Sequence, residues 1–466
     1  MDELVHAEFR GGRTETAPMT WSQQVMWRAA RLSRNQHLFL NLRRVLTVPR
    51  RAPADVPSVT QAIAALVSRH GALRTRVREV AGQLRQETAA AGELPIVLAH
   101  ADADDSGDDD GGAGAAELAR RLGDVAFDHG REWPVRFGTV VVDGRVRRVV
   151  LVFSHSTVDA YAADVVLRDL RVALLRGGLS GPTVLQSVDV ARRQHGPDRP
   201  RSERAISYWT NRYRQLPATE LAPLGPGDEP RLRRGVLISS AVATAARTIA
   251  TRHRVSVSTV LLAATTAVAA GAAGRDICGL FTMSHNRFRP EYANAIANLG
   301  QVGFCVVDIS DRPSFSALLP RVYRAALDGY SHAYYDTAEM RRRFTELGYD
   351  YATAFLPYYY FNDVRLPVGN ALDDVAEAGP RQLRAAAERS SFSWTDGLDR
   401  ASWHLLTHVV DEPGAFGLTL SADSRYRSPD SVEPHLRSLE ALLVEATQRD
   451  VPWPWTPQLV GASGGA

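Results

Sequence analysis

The 466-residue chain contains no lysine; every residue in its Lys+Arg count of 55 is an arginine. That excludes a lysine Schiff base and the phosphate-binding lysine of a P-loop. Cysteine is nearly absent as well. Cys278 and Cys305 make neither a disulfide framework nor a metal-ligand spacing, and both stand in apolar, strand-like runs, where they read as small buried hydrophobes. Long hydrophobic runs are missing: the longest, Val260 to Ala273, is broken by threonines and a glycine and falls short of the ~20 residues a membrane helix needs. The start, Met1-Asp2-Glu3-Leu4, is acidic and has no signal-peptide apolar core, so a cytoplasmic location with no membrane partner is expected. Net charge is also scarce, at +3, and no basic stripe is interleaved with aromatics, so nucleic acid is not an expected partner.

What remains is the composition of an ordinary soluble protein, 45% hydrophobic and 23% charged. The length exceeds one core and implies two domains of roughly 200 residues. Residues 1–16 read as a loose leader. Helices are expected from Thr20 to Leu32, with Thr20 or Ser22 as cap, and from Ser58 to His70, with Ser58 and Gln61 as a capping box. Arg136 to Val142 and Arg145 to Phe153 read as strands joined at the hairpin dipeptide Asp143-Gly144. A helix from Ala160 to Leu175 follows, and the charged, proline-containing residues 192–204 read as a linker. In the second half, Ser256 to Ala270 reads as a packed helix. Cys278 to Met283, Val302 to Ile309, Phe355 to Asn362 and Phe416 to Ser421 read as strands, and Val432 to Ala446 as an amphipathic helix. The acidic, glycine-rich run from Ala101 to Gly112 reads as a surface loop. Strands and helices mix in both halves, which points to two α/β sandwich-like lobes, 17–191 and 205–450.

The most informative stretch is Val149-Val150-Leu151-Val152-Phe153-Ser154-His155-Ser156-Thr157-Val158-Asp159-Ala160. A buried strand ends at a polar His-x-x-x-Asp and a helix begins at once. A histidine just past a strand tip can exchange a proton near neutral pH. Asp159 is placed to fold back across the turn and fix the local backbone.

The order of segments resembles the condensation domains of nonribosomal peptide synthetases, within the chloramphenicol-acetyltransferase-like fold. Met19 to Trp27 is similar to the family's opening Ser-x-x-Gln-x-x-x-Trp helix, Arg69-His70-Gly71-Ala72-Leu73-Arg74-Thr75 to its Arg-His-x-x-Leu-Arg-Thr element, and Ser154-His155 to Asp159-Ala160 to its His-His-x-x-x-Asp-Gly signature. Ser187 to Ala191 and Tyr208-Trp209 resemble the inter-lobe linker, and Ser284 to Arg287 with Asn298-Leu299-Gly300 more loosely resemble second-lobe elements. The resemblance implies two lobes set as a V-shaped pseudo-dimer, completing one site within a monomer. It implies that an acceptor amine attacks a donor thioester presented by an acyl or peptidyl carrier protein, with His155 catalytic. Asp159 would be structural, paired with Arg287 or, second, Arg74. No cofactor or metal is implied, since phosphopantetheine arrives with the carrier-bound substrate. Lacking adenylation and carrier signatures, the chain is expected to work in trans.

Two positions depart from the signature. Ser154 replaces the first histidine and Ala160 the glycine. Ser154 is expected to support the loop as a structural site residue, and serine there also suggests ester formation with an alcohol acceptor. A coenzyme A-dependent acyltransferase and a non-catalytic platform for recruiting other enzymes are the competing readings. His285, His404 and His408 read as structural, and Tyr358 to Asn362 as a core strand with one face toward a site. Arg341-Arg342-Arg343 reads as a solvated helix face, with a dock for acidic carrier proteins as the sharper alternative.

Overall fold

The computed structural model describes residues 3–12, 14–32, 41–101, 111–181, 184–216, 224–273, 276–349, 359–365, 378–398 and 403–456. The acidic run at 102–110, Phe355 to Tyr358 and residues 457–466 lie outside them. The chain divides into two compact units, one of residues 1–200 with 285–300, the other of residues 201–284 with 301–466. The return of 285–300 to the first unit differs from a second lobe running unbroken from 205 to 450.

In the first unit a five-stranded sheet runs in the order Glu3–Arg10, Ala91–His100, Val135–Val142, Arg145–Ser154, Asn41–Thr47. All its neighbours are antiparallel except the parallel pair Ala91–His100 and Val135–Val142. The Arg145–Ser154 strand shows why its sequence is continuously apolar. Val149, Leu151 and Phe153 face helices Val56–Arg69 and Ala160–Arg176, whereas Val150 and Val152 face helix Gly112–Gly123. A strand covered on both faces has no polar side to show. Asp143 and Gly144 both take positive φ, 52° and 71°, as a two-residue turn matched to strand twist requires. A second, three-stranded sheet holds Glu15–Pro18, Gln83–Thr88 and Thr75–Val80.

The structure differs from three sequence expectations along this part of the chain. The supposed leader contains strands Glu3–Arg10 and Glu15–Pro18, because Ala7 and Phe9 alternate inward and the backbone pairs with Ala91–His100. The second helix is capped by Asp55, which accepts from the Ser58 N–H at 2.8 Å, not by Ser58. Pro57 in the first turn suits that earlier start, where its missing N–H is not needed. Residues 192–204 are largely helical, in Ser187–Gln194 and Arg199–Tyr213, with Pro200 tolerated as the second residue of the latter. The first expected helix, by contrast, is observed at Trp21–Leu32. Thr20 Oγ1 accepts from the Gln23 N–H while Gln23 Oε1 accepts from the Thr20 N–H.

The second unit is built on a seven-stranded sheet. Its order is Gln301–Asp308, Ile277–Ser284, Tyr359–Asp363, Leu405–Glu412, Ala415–Asp423, Leu232–Ser239, Ser391–Leu398. Leu237, Leu405, Val409, Leu418 and Leu420 point to one face and pack with helices Ser240–His253, Val257–Ala273, Phe315–Ser331 and Val432–Ala446. Arg234, Val236, His408 and Thr419 alternate to the opposite face, because side chains in a strand change sides at every residue. Cys278 and Cys305 are buried in this core, and burial pushes the Cys305 thiol up to about 12, so it behaves as a small hydrophobe. No single helix among the described residues is long and apolar enough to cross a membrane.

Strand Gln301–Asp308 and helix Phe315–Ser331 approach through two glycines. A Cβ on Gly303 would meet the Gly329 carbonyl oxygen at 2.8 Å, and one on Gly329 would meet Cys305 Sγ at 2.9 Å and the Phe304 oxygen at 3.0 Å. Gly303→Ala is therefore expected to lower stability by about 1–3 kcal/mol through overpacking. The denaturant midpoint checks it; an unchanged midpoint would mean that the helix can shift at no cost.

Candidate functional site

The motif strand leads directly into the site. Ser154 is its last residue, and its N–H donates to Pro134 O at 2.9 Å. The turn Ser154 to Val158 is closed by two more hydrogen bonds, from the Thr157 and Val158 N–H groups to Ser154 O at 3.1 and 3.2 Å. Helix Ala160–Arg176 then starts with Asp159 as its N-cap, Oδ1 accepting from the Ala162 N–H at 2.8 Å. Ala160, where the family signature has glycine, is the first helical residue and carries no positive φ.

His155 is half-buried at the apex of this turn. Its Nδ1 lies 3.0 Å from Val158 O. A carbonyl only accepts, so Nδ1 carries the proton and the lone pair of the neutral ring is left on Nε2. The backbone of His155 is held too: Asn298 Nδ2 donates to its carbonyl at 2.6 Å. Burial pushes the His155 imidazole below its ordinary 6.5; the Asp159 carboxylate opposes that shift and the Arg44 charge adds to it.

Asp159 and Arg287 form a two-pronged ion pair, Nη1 to Oδ2 at 2.8 Å and Nη2 to Oδ1 at 3.0 Å. Their side chains are 7% and 1% exposed, so the pair is cut off from water. Oδ2 also accepts from the Leu299 N–H at 2.9 Å. The two Nη groups of Arg287 also donate to the carbonyls of His285, Ala297 and Ala295, at 3.0, 3.0 and 3.4 Å, and its guanidinium lies 4.6 Å over the Tyr161 ring. Burial alone would raise the Asp159 carboxyl, but the Arg287 charge and the converging N–H donors outweigh it and hold the group below its usual range. Arg74, the other candidate partner, instead donates to Val67 O at 3.2 Å, Gly11 O at 2.8 Å and Ala89 O.

Ser154 is the hub of a second network. His129 Nε2 lies 2.7 Å from its Oγ, which is also 2.7 Å from Ser156 Oγ. Neither His129 nor the Asn298 tether was anticipated; nothing local in the sequence marks His129, whereas Asn298 already stood in a matched segment. His70, from the Arg-His element, bonds through Nε2 to Asp169 Oδ2 at 2.9 Å and ties helix Val56–Arg69 to helix Ala160–Arg176. His285 is exposed and stacks on Tyr161 with ring centroids 5.5 Å apart. In the second unit, His404 lies against Asp423, and His408 stands on the sheet face away from the helices. Tyr359 and Phe361 point into the core, while Tyr358 lies outside the described residues. Of the three arginines at 341–343, Arg342 pairs with Glu339 and Glu346, and Arg343 with Glu346 at 3.3 Å, as on a solvated helix face.

With this geometry in hand, comparison with known proteins is decisive. The family profile described as Condensation domain matches residues 13–350. The chain belongs to the condensation domain family. A probable non-canonical nonribosomal peptide synthetase, CymA, from Salinispora arenicola is 28% identical over 357 residues, covering 69% of this chain. The chain spans only 4% of that relative's length. A structure of the condensation domain that mediates chain release from the enacyloxin polyketide synthase superposes with a TM-score of 0.70 at 18% identity, covering 97% of this chain and 85% of the other. SgcC5 from Streptomyces globisporus gives 0.68 at 18%, covering 93% and 99%. The fold is thus the chloramphenicol-acetyltransferase-like fold of condensation domains.

Two outcomes follow for this condensation domain. Asp159→Asn leaves the Arg287 charge buried and unmatched, so the first unit is expected to lose about 3–5 kcal/mol at pH 7, read from its denaturation midpoint. Because the folded-state pKa of Asp159 is depressed, its contribution is present above the unfolded value of 3.8 and disappears as pH falls through the lower folded value. The wild-type advantage over the variant should therefore shrink at acid pH, and a constant difference down to pH 2 would contradict the assignment. Separately, carbon-13 histidine NMR should show His155 titrating below 6.5, and further below in Asp159→Asn, since the aspartate raises it.

Proposed function

We propose that the chain is an acyl-transferring condensation enzyme that joins a carrier-tethered acyl or aminoacyl thioester to an amine, with His155 at the reacting atoms. The supporting observation is the His155 ring: Nδ1–H is committed to Val158 O, and Nε2 is left as a base on a half-buried imidazole. An amine nitrogen ~3 Å from Nε2 would give up its proton there as it bonds to the thioester carbonyl carbon. Collapse of the adduct breaks the C–S bond, and the pantetheine thiol leaves with the proton. Thioesters are already activated, so holding the two reactants together supplies much of the acceleration. The lowered pKa of His155 keeps the base form populated through the neutral range.

The remaining roles follow from this reading. Asp159 and Arg287 hold the turn and act structurally, as does Ser154. Phosphopantetheine enters as part of the substrate, presented in the cytoplasm by a carrier protein. The test uses a loaded carrier-protein donor, a panel of amines and alcohols, and intact mass spectrometry. Wild type is expected to release condensed product and His155→Ala to lose about 10²-fold or more in rate with its fold intact. An amide product supports the reading as stated, and an ester would replace the acceptor class. A folded wild type that condenses nothing yet binds another enzyme firmly would overturn it in favour of a recruitment platform.

A further inference from the structure

The second unit has a cavity of about 280 Å³ on the sheet face away from the helices, and it holds an arginine that has no acid partner among the described residues. Arg234 lines this cavity together with His408, Thr395 and Thr419. Its Nε donates to Ser421 Oγ at 3.3 Å, on the neighbouring strand, which anchors the guanidinium. Among the described residues no carboxylate pairs with it. Other arginines of the same unit, Arg365 with Asp363 and Arg425 with Asp423, have bidentate acid partners. Leaving a cation partly desolvated without a counter-charge is costly, and a bound anion repays that cost.

The surroundings define which anion. His408 faces the same cavity but is pushed down to about 4 by burial and by the Arg234 charge, so at neutral pH it is an uncharged hydrogen-bonding partner. The cavity therefore offers one positive charge, which matches a monoanion better than a phosphate dianion. The guanidinium fork fits the two oxygens of a carboxylate. Thr395 and Thr419 add hydroxyl groups at the sides. Val236, Val364 and Val410 supply the rest of the wall and suit a short carbon skeleton. The volume is at the lower end of small-molecule pockets, which limits the ligand to a small one. We propose that this cavity is a binding site for a small organic acid, held by its carboxylate on Arg234 and by its carbon skeleton on the three valines. The assignment is independent of His155 and of the condensation reading.

Calorimetric titration with short-chain and aromatic monocarboxylic acids, their methyl esters and inorganic phosphate tests this without any turnover. At least one acid is expected to bind at least tenfold more tightly than its ester and to shift the His408 ring resonances. Arg234→Gln should abolish that binding, Arg234→Lys should restore part of it, and Thr395→Val, at an exposed position, should weaken it a few-fold. Circular dichroism and unfolding midpoints check that each variant is folded. Equal binding of acid and ester, binding unaffected by Arg234→Gln, phosphate binding as tightly as the best acid, or no acid binding at millimolar concentration would each overturn the proposal. Because no carrier donor is present, such a failure would leave the condensation test untouched.

Discussion

The site depends on one buried ion pair. Asp159 begins the helix that follows the histidine turn, and Arg287 belongs to a segment 128 residues later in the chain. A desolvated pair of this kind need not add net stability over an apolar replacement, because removing both charges from water costs about as much as their attraction returns. What it does is penalise every arrangement that separates them. Arg287 also gathers the His285, Ala295 and Ala297 carbonyls around itself, and Asp159 receives the Leu299 N–H. The segment 285–300 is thus folded around the guanidinium, and it delivers Asn298 to the His155 carbonyl. The same carboxylate caps a helix, orders a distant loop and opposes the loss of basicity at His155. Three functions on one side chain explain why it is held so far from water.

That arrangement also clarifies what serine at position 154 does. A side chain at the end of a strand buried on both faces must satisfy its polar atom internally. Ser154 Oγ does so between Ser156 and His129, the latter reached across 25 residues of sequence. The turn therefore still has an imidazole bonded at its base, supplied from outside the motif. Loss of the first motif histidine leaves no unsatisfied group and does not disturb the Nδ1 contact that sets the His155 tautomer.

Legibility in the sequence followed the range of the interactions. The doubly buried strand, the Asp143-Gly144 turn, the Asp159 cap and the Val432–Ala446 helix rest on residues a few positions apart, so pattern alone finds them. Strand Glu3–Arg10 leaves little local signal because only Val5, Ala7 and Phe9 turn inward and its partner strand begins at Ala91. The competition between Asp55 and Ser58 for one cap was settled by a proline in the first turn, a detail weaker than the capping-box pattern that pointed to Ser58. Arg287 could be named for Asp159 only through resemblance to a family; no periodicity links positions so far apart. His129 had neither kind of signal, and Asn298, though it stands in a matched segment, bonds to a backbone carbonyl, which leaves no trace in residue type.

The second unit shows the same logic applied to a sheet. Alternation sends Leu237, Leu418 and Leu420 to the helices and, of necessity, Arg234, Val236 and Thr419 to the other side. Nothing in folding requires that other side to carry a guanidinium with no acid partner among the described residues, next to a histidine that burial and this charge keep neutral. A sheet face selected only for packing would be expected to place threonine or valine there, as the neighbouring positions do, since an arginine brings a desolvation cost and much side-chain entropy to a strand. The residue that breaks the local rule without a structural return is the one whose compensation is to be sought in a ligand.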